Sequence, residues 1–179
     1  MILFRLRSAV EAPLMTAIDP RADQVRQIDR ARRLYEAGEL DAAAELFAEL
    51  ATTEGAHDRA QAALGLAVVA ERMAEDLLAD GRPDEAADVV LQVLEVTDAP
   101  RLRVLLGIAH LEMACAEFAA AVEAGPDADT DTAALAIELL ARTLPLRGRD
   151  GDAETVWRYG FEHADDTLAA QVRQRYDRP

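Results

Sequence analysis

Small residues recur in pairs at one fixed interval along this chain. Ala31 and Ala43, Gly107 and Ala119, and Ala141 and Ala153 each lie 12 residues apart, every pair inside an apolar helical pattern. A fourth pair, Gly65 and Ala86, is separated by 21, so that unit carries 9 extra residues. The first members follow one another at steps of 34, 42 and 34. A period near 34 built from two helices is the mark of a stacked helical repeat, in which each hairpin buries its apolar face only against its neighbours. Paired helices that approach to about 8–10 Å need a side chain no bigger than a methyl at the contact. Enlarging Ala43, Gly65, Gly107 or Ala153 is therefore expected to overpack the core, at about 1–3 kcal/mol each.

Composition agrees and excludes several classes. Hydrophobic residues make up 51% of the 179, largely alanine, and aromatics only 4%, which favours close-packed helices. The single cysteine, Cys115, rules out an intrachain disulfide and fits a reducing compartment, so the cytoplasm is the expected location. The apolar run in residues 1–14 is too short for a secretory signal, and no segment is expected to come near a membrane span. Met15 could serve as the native start. The net charge is −15, every basic residue is arginine, and lysine and asparagine are absent. Such a surface repels phosphate backbones and anionic membranes, so neither nucleic acid nor membrane is an expected partner.

Catalytic readings find little to stand on. Without lysine there is no P-loop and no Schiff base, and Ser8 is the only serine. The histidines, His57, His110 and His163, fall in different repeats. His110 and Glu117 would share a helical face, but Cys115 would sit about 140° away from His110 unless a turn intervened. No catalytic constellation, no metal site and no cofactor are expected; a metal-dependent enzyme is the weakest of three readings.

The pattern predicts a helix from Asp19-Pro20 to about Gly38, a return helix over 39–53, and a long helix from about Asp58 to Gly81. Pro83 opens a partner running to about Thr97, before a break at Asp98-Ala99-Pro100. Between Gly107 and Gly125 there is no glycine or proline. The repeat places a turn near Ala114, and one long helix is the alternative. After a loop at Gly125-Pro126, helices follow at about 131–146, shortened by Pro145, then at 151–162 and 165–176. The last is acidic at its start, basic at its end and carries one stripe, Leu168, Val172 and Tyr176, as a terminal helix needs to close an array. Residues 1–18 are expected to be a poorly ordered extension to a single domain over 19–179.

These residues resemble a tetratricopeptide repeat (TPR) protein over roughly 24–162. Leu64-Gly65 and Leu106-Gly107 match the Leu-Gly of the family's first helix, with Leu140-Ala141 a close variant. Gly38, Gly81 and Gly148 match the turn; Ala43, Ala86 and Ala153 match the second helix; Phe47 and Trp157 match the aromatic that fills the gap between hairpins. Val90 replaces that aromatic in the second unit, and Ala114 and Glu123 depart from the pattern in the third. The resemblance implies an all-α, right-handed solenoid of four helix-turn-helix repeats with a C-terminal capping helix.

It also implies a concave groove lined by the first helix of each pair. Projected onto this chain, the groove-facing places are Ile28, Arg32, Tyr35, Ala62, Leu66, Val69, Val104, Ile108, Leu111, Glu138 and Arg142, with Arg59 and Arg101 near the mouth. The first helices (21–37, 58–79, 100–113 and 131–146) hold ten arginines against ten carboxylates, whereas the second helices (39–54, 83–98, 114–124 and 150–162) hold sixteen carboxylates against Arg158 alone. The expected function is a non-catalytic adaptor gripping a partner protein's peptide or helix in an apolar groove edged by arginine. If the insert within 68–81 projects as helix, Met73, Leu77 and Leu78 form a second apolar contact edge. Through that edge the alternative is a self-associating module, a homodimer, that regulates a separately encoded enzyme.

Overall fold

Eight α-helices and one 3₁₀ turn carry the chain through residues 20–53, 58–125 and 129–178, the residues that the computed structural model describes. They are α1 (Pro20–Glu36), α2 (Leu40–Thr52), α3 (Arg59–Ala79), α4 (Pro83–Leu94), α5 (Pro100–Ala124), α6 (Thr130–Thr143), the 3₁₀ turn Leu144–Arg147, α7 (Asp150–Phe161) and α8 (Asp166–Tyr176). No strand occurs among the described residues. The Asp19 cap and the 1–18 extension lie outside them.

Three hairpins are closed by the same chemistry. Gly38, Gly81 and Gly148 have φ of 80°, 74° and 69°, a region that costs a side-chain-bearing residue about 1–2 kcal/mol. At each, the glycine N–H donates three residues back and the next N–H five back: Gly38 to Tyr35 and Glu39 to Leu34, Gly81 to Leu78 and Arg82 to Leu77, Gly148 to Pro145 and Arg149 to Leu144. These six bonds satisfy carbonyls that the helix ends leave open. Pro145 converts the end of α6 into the 3₁₀ turn, as its missing N–H dictates. At the other ends, Asp129 and Asp165 cap α6 and α8 by accepting backbone N–H bonds.

The turn near Ala114 does not form. Helix α5 runs unbroken for 25 residues, because nothing from Ala109 to Ala124 supplies a left-handed backbone or removes a donor. Leu-Glu-Met-Ala-Cys-Ala-Glu-Phe is made mostly of good helix formers. The four-hairpin expectation thus becomes three hairpins and one continuous helix. By length and apolar composition alone α5 could cross a bilayer, contrary to the expectation that no segment comes near a span. Here it packs along α3, α4 and α6.

Successive helices pack in chain order; α3 also meets α5, and α8 lies against both α6 and α7. One core cluster joins α1 to α4 with Leu102, Leu105 and Ala109 of α5. Further clusters gather Cys115 with Leu140, Leu144 and Ala153, and Ala133, Ala134 and Ile137 with Leu168 and Val172. The paired small residues have unequal fates. Ala31, Ala43, Ala86, Ala141 and Ala153 are buried, and Gly65 lies under the Phe47 ring. Gly107 is exposed with no atom within 4 Å of where its Cβ would stand, so the overpacking expected there is overturned. Both members of a 12-residue pair are buried only where a glycine turn lies between them.

The insert is helix too, and makes α3 21 residues long. Met73, Leu77 and Leu78 are half-buried and pack on the core instead of projecting. Helix α4, joined to α3 by the tight Gly81 turn, packs against it.

Candidate functional site

Between α1 and α3 opens an apolar cleft of about 340 Å³, lined by Arg32, Tyr35, Phe47, Gln61, Leu64, Gly65, Val68 and Val69. It exists because residue 65 has no side chain. The Phe47 ring, only 3% exposed, reaches across from α2 and settles on the α3 backbone there. Its other side forms the cleft wall. Gln61, Leu64 and Val68 follow at i, i+3 and i+7, one stripe of α3 facing the opening. Leu64 is 66% exposed and Val68 48%, a large apolar surface that no part of the described chain covers.

Arg32 stands at the rim. Its Nη1 reaches Asp29 Oδ1 at 3.4 Å with both side chains about half exposed, a pair worth about 0–1 kcal/mol and readily exchanged. Further along α3 the same stripe continues to Glu71 and Glu75, which hold Arg101 of α5 at 2.9 and 2.7 Å. The hydrogen bond to Glu75 and the charge of Glu71 raise the Arg101 guanidinium above its ordinary value. This bridge ties the α3 stripe to that of α5, where Val104 is 62% exposed and Ile108 half-buried.

The predicted groove residues divide. Arg32, Tyr35 and Val69 line the cleft. Ile28, Ala62, Leu66 and Val69 are buried, so Ile28, Ala62 and Leu66 belong to the core. On α3 the core takes the face of 62, 66, 69 and 70, and the cleft takes 61, 64 and 68, one residue round from the projection. Arg59 is exposed and has no ion pair among the described residues. Arg101 clamps α3 to α5, and Leu111 is half-buried.

Arg142 is committed elsewhere. It pairs with Glu138 at 3.1 Å, donates through Nη2 to the carbonyl oxygens of Arg175 (3.0 Å) and Arg178 (2.8 Å), and lies 5.9 Å from the Trp157 ring centroid. It therefore closes the C-terminal end of α8. Arg175 returns the contact, bonding Asp131 at 2.7 Å and Glu138 at 3.1 Å. Burial pulls the Arg175 guanidinium down, but the carboxylates of Asp131 and Glu138 outweigh it and hold it above its usual value. Trp157 stacks on Phe161 and takes the edge of Tyr176 at 5.0 Å. At this end the C-terminal helix covers the places projected for a ligand.

Sequence reasoning missed Gln61, Leu64 and Val68 as surface. The signal was present: α3 is apolar round most of its circumference, more than one core face needs. On α5, the continuous helix leaves His110 exposed, while Cys115 is buried and its thiol donates to Thr143 Oγ1 at 3.4 Å. Among the described residues no three histidine, cysteine or acidic side chains are grouped as a metal would need. Compared with protein-family models, curated proteins and solved structures, the chain matches none.

Proposed function

We propose that this protein is a non-catalytic binding module of TPR-like build, taking a segment of a partner protein into the cleft between α1 and α3. Three hairpins with identical glycine turns, the Phe47 ring laid on Gly65, and α8 against the last hairpin support a solenoid reading in which α5 replaces the third hairpin. One observation carries the function: an open cleft of about 340 Å³ walled by Tyr35, Phe47, Leu64 and Val68, with a weakly held arginine at its rim. An apolar side chain would enter the cleft, and a neighbouring carboxylate would take Arg32 from Asp29. The segment would then run towards Val104 along the α3–α5 face.

The test uses two exposed side chains, Leu64 and Arg32, the latter held only by its weak pair with Asp29. Short random peptides displayed on phage are selected on the immobilised protein, and the winners are measured by fluorescence anisotropy. Selected peptides should share an apolar anchor beside an acidic residue. Binding should weaken about tenfold or more, roughly 1.4 kcal/mol, with Leu64→Glu and with Arg32→Glu, helicity being unchanged by circular dichroism. Binding indifferent to both substitutions would remove the cleft from consideration.

A further inference from the structure

We infer that the opposite face carries a second docking site, for a cationic amphipathic helix of a partner protein. A trough of about 250 Å³ runs between α2 and α4; its floor is Leu66, Ala70 and Met73 of α3, and Val89 and Val93 stand on one wall with Ala48 on the other. Glu45 lines the α2 wall itself, and further carboxylates stand at exposed positions along both helices. Asp41, Glu45 and Glu49 form an exposed row on α2 at i, i+4 and i+8, and Asp88 on α4 and Glu95 just past its end are also exposed.

Several carboxylates on other helix faces are neutralised: Glu71 and Glu75 by Arg101, Asp76 by Arg72, Glu112 by Arg147, Asp131 and Glu138 by Arg175. No arginine among the described residues pairs with Asp41, Glu45, Glu49, Asp88 or Glu95. An apolar trough between two rows of unpaired negative charge is complementary to a helix with one apolar stripe and basic residues on both flanks. The α2 row spans about 12 Å at 1.5 Å per residue, so a partner helix of three turns or more can meet all of it. This surface lies apart from the α1–α3 cleft, and the inference does not depend on that cleft's ligand.

The probe is a fluorescein-labelled peptide of leucine and arginine, about 18 residues or five turns long, with leucine on one helical stripe. A peptide of the same composition in scrambled order is the control. The patterned peptide should bind, and the scrambled one about tenfold more weakly or not at all. The triple variant Glu45→Gln, Glu49→Gln, Asp88→Asn should weaken the patterned peptide about tenfold. The variant Glu154→Gln, Glu162→Gln, Asp166→Asn, with the same charge change on exposed residues of the other end, should shift it less than twofold. Equal loss from both triples, equal binding of both peptides, or no binding would overturn the inference. Sedimentation of the protein alone covers the remaining occupant. Self-association abolished by the first triple would assign the trough to a second copy, whose α1 exposes Arg26, Arg30 and Arg33, and would overturn the partner helix.

Discussion

Alanine at position 65 would place a methyl carbon 2.5, 2.7 and 2.8 Å from three carbons of the Phe47 ring, far inside contact distance. Alanine at position 107 would meet nothing within 4 Å. Both glycines follow a leucine in the middle of a long helix, so both substitutions gain the same propensity, about 0.8–1.0 kcal/mol. That gain stands alone at 107, and Gly107→Ala should stabilise the protein by about 0.5–1 kcal/mol. At 65 it is opposed by overpacking of about 1–3 kcal/mol, leaving anything from no change to a loss of about 2. The difference between the variants isolates the clash, since the propensity term is common to both. It should be about 1–3 kcal/mol, and each kcal/mol moves Tm by about 2–4 °C in a chain of this size. Urea unfolding followed by circular dichroism gives both values by linear extrapolation. A cycle with Phe47→Leu should recover most of the loss at 65, because the smaller side chain leaves room for the methyl. If Gly65→Ala stabilised the protein as much as Gly107→Ala, the ring would not lie on that backbone, and the cleft wall argued from it would go too.

Three further outcomes are expected. Arg175→Met leaves Glu138, 15% exposed at its side chain, with Arg142 alone; stability should fall by about 1–3 kcal/mol, between the surface and buried limits. The emission of Trp157, the only tryptophan, should shift to the red as Tyr176 leaves it, and an unmoved spectrum would deny that α8 is latched there. Asp129 is held below the usual carboxylate value by its bonds from the Thr132 hydroxyl and the Asp131 N–H. Its contribution is therefore complete above about pH 4 and lost as pH falls through the lowered value; Asp129→Asn should flatten that acid limb in thermal melts, and an unchanged limb would contradict it. Ala114→Gly should cost about 1 kcal/mol as a glycine inside α5; a gain would show that the chain turns there after all.

Legibility in the sequence followed the strength of the local signal. Gly38, Gly81 and Gly148 announced their turns because only glycine takes that backbone cheaply, and Pro145 announced the end of α6. Ala114 announced nothing, and the turn placed there came from counting alone. Helix existence was therefore readable, but the number of hairpins was not. In the cleft, Arg32 and Tyr35 were found, whereas Leu66 and Leu64 exchanged roles. A helix apolar on two faces has no contrast from which to read which face goes inward, and neighbouring positions differ by about 100°. The commitment of Arg142 to α8 was invisible for another reason: its acceptors are backbone carbonyls 33 and 36 residues away, and no side-chain pattern records those.

Helix α5 serves two cores at once, Leu102, Leu105 and Ala109 at one end, Cys115, Phe118 and Val122 at the other. A hairpin array tolerates gain or loss of whole units, because each unit sets its own orientation at its turn. A continuous helix has no such joint, and so the two ends of this molecule are phased like cams on a shaft. One residue inserted between Ala109 and Cys115 would rotate everything beyond it by about 100° and turn the second core's contacts into solvent. Seven residues would bring it back to within about 20° while lengthening the shaft by about 10 Å. The spacing along this helix is thus constrained in steps of whole turns, and drift in its length is confined to the heptad.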